Sequence, residues 1–217
     1  MANADRPNGF KPVKHLNGSP WNGRTRKYAC PASETTAIGI GDIVSLSTKP
    51  VLAGNHPGIE SIGTGTVTTG NFVGVVVGFE VVNPTGGVSG GASPSLDLPQ
   101  YKAASAALKY ALVCDDPDVL FEAQADDAGI DLTDIGANVA IIGGAASTVT
   151  GRSIQEIDGS SGAVTAALPL TIMEAVNRPN NQYVADGAVT GVAFARFLVK
   201  INNHQYRSLG LVTPTRD

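Results

Sequence analysis

The strongest hydrophobic signal in the chain lies at residues 71–82, NFVGVVVGFEVV, where Phe72, Val73, Val75, Val76, Val77, Phe79, Val81 and Val82 form a nearly continuous apolar run. β-Branched and aromatic residues without a polar face predict a strand buried on both sides. Gly74 and Gly78 within it mark a bulge, a bend or a close backbone approach. Two other runs alternate. In residues 110–114, Tyr110, Leu112 and Cys114 share one face and Ala111 and Val113 the other. In residues 119–124, Val119, Phe121 and Ala123 oppose Leu120, Glu122 and Gln124. Between the two lie Asp115, Asp116, Pro117 and Asp118. Pro117 fixes its own φ, restricts Asp116, and is flanked by Asp side chains that bond nearby amides. The stretch reads as a β-hairpin with a tight acidic turn.

Further strands are predicted at 42–46, 138–142, 153–157, 168–176 and 194–201. Residues 131–136, DLTDIG, carry helix-start chemistry over one turn only, and the alanine-rich 101–108 reads as a turn of helix. Residues 49–69 and 83–99 read as loops rich in Gly, Thr, Ser and Pro. Short strands with no repeating helix between them predict an all-β fold, a single barrel- or sandwich-like domain.

Up to residue 33 no strand or helix period survives among Pro7, Pro12, Pro20 and Pro31. The segment nonetheless carries Phe10, Val13, Leu16, Trp21 and Tyr28. It therefore reads as an extended, mostly irregular N-terminal arm over residues 1–35, ahead of a β-rich body at 36–217. Its large apolar side chains either seat in grooves of its own subunit or a neighbour's, or cap the protein's own core. If the arm is separable, its removal leaves the body folded.

Charge sharpens the division. The whole chain carries −4, yet through Thr36 six bases (Arg6, Lys11, Lys14, Arg24, Arg26, Lys27) face only Asp5 and Glu34. A basic arm on an acidic body suits docking onto an acidic neighbour, although a solvated basic terminus reads the same way. Phe10, Leu16, Trp21, Arg24, Arg26 and Lys27 are the candidate interface residues. With 26 glycines, 13 prolines and 16% charged residues, the composition fits short strands and many turns, and excludes long helices. Cys30 and Cys114 do not make a disulfide framework and are expected as reduced thiols. The opening MANADRPNGF lacks the apolar stretch of a signal peptide, and no run approaches a membrane span.

Candidate chemistry is sparse. Gly87-Val88-Ser89-Gly90-Gly91 matches G-x-S-x-G, but the serine lies in a Gly/Pro loop with no helix after it. Eight carboxylates between Asp115 and Asp134 form an oxygen-rich segment without calcium-loop spacing. His15, His56 and His204 are too scattered for a transition-metal site. No phosphate-binding loop or dinucleotide fingerprint occurs, and the arm lacks the dense Arg/Lys pattern of nucleic-acid binders. No catalytic residue, cofactor or metal ligand is assigned, and neither nucleic acid nor membrane is an expected partner.

Three stretches carry a resemblance: the opening MANADRPNGFKPVKHLNGSPWNG, the central DDPDVLFEAQADD and the closing FLVKINNHQY. In this order they resemble motifs of a family of tailed-phage virion proteins encoded near the major capsid protein, while the middle of the chain is mostly unmatched. The resemblance implies a capsid decoration, or cement, protein. Such a protein binds the outer surface of the icosahedral shell, bridges neighbouring subunits and assembles in the host cytoplasm. The implied partners are the major capsid protein and copies of the chain itself, as trimers. The alternative is a minor head or tail component, or an adhesin-like module that binds a host surface glycan.

Overall fold

The apolar periodicities resolve into two antiparallel sheets packed face to face. The computed structural model describes residues 3–49, 56–80, 100–106, 108–127, 129–164, 168–184 and 191–207. Among these, β1 (Lys11–His15), β8 (Val119–Gln124), β12 (Arg196–Ile201), β11 (Leu170–Ala175), β9 (Asn138–Gly143) and β10 (Glu156–Ala163) form one sheet in that order. A seventh strand, β5 (Gly65–Val67), pairs with the C-terminal half of β9. The second sheet runs β2 (Arg26–Cys30), β7 (Lys109–Cys114), β6 (Phe72–Phe79), β3 (Ile43–Leu46) and β4 (Ile59–Ser61).

Phe72, Val75 and Cys114 from the smaller sheet meet Phe121, Phe197 and Ile172 from the larger one in the core between the layers. A second apolar cluster lies on the other face of the smaller sheet, around Tyr28, Val44, Val73, Val76 and Val113. The sheet curls around it until the Ala29 amide donates to the Pro57 carbonyl at 2.9 Å. One such contact does not close a barrel, so the fold is a sandwich. The two clusters explain the unbroken apolar run of β6, which contributes to both. Its pairing with β7 slips between Val76 and Gly78. At Gly74 the backbone passes so close to β7 that a Cβ would lie 2.0 Å from the Cys114 carbonyl oxygen, which only glycine tolerates.

The predicted hairpin is corrected. β7 and β8 do not pair with each other; they belong to opposite sheets, and residues 115–118 form an arch between them. β7 already lies between β2 and β6, and β8 between β1 and β12, so neither has a free edge for the other. The face assignment of β8 holds: Val119, Phe121 and Ala123 all enter the inter-sheet core.

The N-terminal segment is corrected as well. Its strand signal was hidden, yet β1 pairs with β8 and β2 with β7, one in each sheet. β1 lies at the end of its sheet and its pairing slips between Pro12 and Lys14, the two circumstances under which a strand accepts proline. Phe10 is 2% exposed in the inter-sheet core. Gly9 makes that entry possible: its φ is +65°, and a Cβ there would lie 2.4 Å from the Gly41 carbonyl oxygen. The rest of the described segment is irregular.

Other differences are smaller. The 49–69 loop contains β4 and β5. The strand expected at 153–157 begins at Glu156 and continues to Ala163. Among the described residues of 101–108 there is no helix. Asp131 caps a 3-10 turn, Leu132–Asp134, and Asp134 returns the bond to the Asp131 amide. Residues 83–99, with Ser89, lie outside the described residues.

Candidate interaction surface

After β1 the chain reverses tightly, with the His15 amide donating to the Ser19 carbonyl at 2.8 Å and the Trp21 amide to Val13 at 3.0 Å. The outer edge of β1 from Val13 to His15 is thus bonded by its own returning chain, through Ser19 to Trp21. Residues 22–25 then cross to β2 at the end of the other sheet, spanning one mouth of the sandwich. Leu16 stands at the tip of the reversal, 43% exposed. Trp21 turns inward and packs against the inter-sheet core. Among the described residues its indole N–H has no oxygen partner, and it lies near the Cys114 thiol, a weak acceptor.

Trp21 walls an open groove of about 520 Å³. Pro12, Val77 and Leu112 supply apolar surface above the buried Phe10, and Lys11 and Arg152 stand at its rim. Asn8 and Lys11 also line a smaller cavity of about 120 Å³, so the two spaces adjoin. Arg6, Lys11, Arg178 and Arg196 surround the smaller one, with Glu122 as its carboxylate. Glu122, nearly buried on the outer face of β8, accepts from both terminal nitrogens of Arg178 at 2.9 and 2.7 Å. Arg196 approaches the same carboxylate at 3.7 Å. Two arginines therefore share one carboxylate, and positive charge remains in excess.

The six candidate interface residues divide. Leu16 and Arg24 are exposed, and Arg24 forms no ion pair among the described residues. Trp21 is half in the groove. Phe10 is corrected: its ring belongs to the protein's own core and is unavailable to a neighbour. Arg26 pairs with Asp115 at 3.1 Å and lies over the Tyr206 ring. Lys27 pairs with Glu80 at 2.8 Å and lies over Tyr110. These two cations are engaged internally. Arg152, Arg178 and Arg196 come from distant strands and loops, and no local pattern announces them.

The acidic segment largely disperses, although Asp126 and Asp127 lie near Asp5 and Glu156, and burial together with these carboxylates raises the Glu156 carboxyl to about 7. Asp115 takes Arg26 and the Tyr28 hydroxyl, the latter at 2.7 Å; Asp116 faces His15; Asp118 faces Arg207; and Asp131 and Asp134 cap the 3-10 turn. Among the described residues no three His, Cys, Asp or Glu side chains gather where a metal could be held. Burial lowers the pKa of His204. Cys30 and Cys114 are free and buried, and burial pushes both thiols up to about 12. Asp42 is another perturbed core group. Burial raises its carboxyl to about 7, although its Oδ2 accepts from the Gly39 amide at 2.7 Å. Among the described residues no helix is long and apolar enough to cross a membrane. No family model, curated protein or solved structure matches this chain.

Proposed function

We propose that this chain is a non-enzymatic virion protein that binds the outer surface of an icosahedral capsid and stabilises the shell by bridging neighbouring capsid subunits. The family likeness of three separated stretches motivates this reading, and one observation gives it weight. The three stretches fold as adjacent strands: the opening one contains β1, the central one β8 and the closing one β12. Phe121 stands opposite Pro12 on one side and Val199 on the other. The likeness therefore concerns one contiguous structural unit.

The physics of the role is repetition. A modest contact made by each copy, multiplied by capsid symmetry and by self-association into trimers, becomes strong through avidity. Co-sedimentation with undecorated capsids tests it. The wild-type chain should pellet with capsids, and Leu16→Asp combined with Arg24→Glu, exposed on the reversal and on the crossing segment respectively, should weaken that association. Lys27→Ala should change it little, because Lys27 is already paired with Glu80. A wild-type chain that stays in the supernatant counts against the capsid reading.

A further inference from the structure

We propose that the groove beside Trp21 and the arginine-lined cavity adjoining it form one docking site for an extended polypeptide segment that alternates acidic and apolar residues. The site is not required to belong to a capsid contact, so it stands apart from the role proposed above.

The apolar part would accept many occupants, and the charges narrow the choice. Lys11 and Arg152 are exposed at the rim, and neither forms an ion pair among the described residues. Among the described residues Arg178 and Arg196 share the single carboxylate of Glu122, and Arg6 beside them forms no ion pair. Cations without matching carboxylates around an apolar floor complement a segment bearing both carboxylates and apolar side chains. An extended chain meets both demands, because successive side chains point to opposite sides. Apolar residues then fill the space against Pro12, Val77 and Leu112 while carboxylates reach Lys11, Arg152 and the arginine cavity. The combined space suits a few side chains rather than a folded domain. Nucleic acid fits less well: its phosphates need a continuous cationic stripe, whereas these cations flank an aliphatic strip on a chain of net charge −4.

Trp21 is the chain's single tryptophan, so its fluorescence reports directly on the groove. The test titrates the full chain with three probes: a short synthetic peptide alternating Asp with Leu and Phe, its counterpart with Lys in place of Asp, and an oligothymidylate. The acidic peptide should shift Trp21 emission saturably, and the other two should bind at least about tenfold more weakly. Lys11→Glu combined with Arg152→Glu should weaken the acidic peptide by about tenfold or more, with unchanged circular dichroism. Should that double variant lose its fold, Arg152→Gln alone should still weaken binding severalfold. The absence of a saturable shift overturns the proposal. So does equal or tighter binding of the Lys peptide or the oligonucleotide, or undiminished affinity in the folded variants.

Discussion

Phe121 packs between the sheets at 1% exposure, opposite Pro12 and Val199. Phe121→Ala removes a ring that the surrounding strands cannot collapse to replace, and should lower stability by roughly 3–5 kcal/mol, read from denaturant midpoints. A variant as stable as wild type would contradict the register of β1, β8 and β12. Asp42 makes a prediction of a different kind. Its folded pKa, about 7, lies above the ordinary carboxylate value from which the unfolded chain starts. As pH rises from about 4 the unfolded state loses this proton first, so Asp42's contribution to stability declines through the window and levels off above about 7. Asp42→Asn keeps an oxygen for the Gly39 amide and removes the ionisation. Its advantage over wild type should therefore grow across that window, to on the order of a few kcal/mol. Parallel stability curves for the two proteins from pH 4 to pH 8 would show that the carboxyl is not held neutral.

Strands that carry their own signal were legible: β6 by its apolar run, β7 and β8 by alternation, β12 by Phe197 and Val199, and the 3-10 turn by its Asp cap. What the sequence could not display was pairing. Residues 110–124 look the same whether the two strands face each other in a hairpin or part into an arch, because the choice depends on β2, β6, β1 and β12 filling their edges. β1 was hidden by Pro12 and by lysines on either side of it, and β2 by Arg26 and Lys27. The surface was legible only in part. Trp21 stood out as an aromatic in a broken segment, whereas Arg152, Arg178 and Arg196 join it only through tertiary structure. These placements change the expectation for truncation. Deleting residues 1–33 removes an end strand from each sheet and the core ring of Phe10, so the remainder should lose cooperative thermal unfolding by circular dichroism. A truncated chain that melts as sharply as the full one would restore the separable arm.

At the scale of the whole molecule, the N-terminal segment does not reach away from the sandwich; it builds one wall of a groove at its mouth. Three of its basic residues pair with carboxylates, Lys14 with Glu174, Arg26 with Asp115 and Lys27 with Glu80, and Arg6, Lys11 and Arg24 form no ion pair among the described residues. On a chain that is acidic overall, those cations give the face a polarity that steers an acidic partner, more weakly as salt rises. A capsid-bound role adds a demand that no property of the isolated chain meets: occupancy set by shell symmetry. Locating the protein in a cryo-electron map of the virion tests that most directly. The account predicts density for this sandwich at symmetry-repeated positions on the outer shell, seated across junctions between capsid subunits. Density confined to the portal or tail, or no density at all, would contradict it.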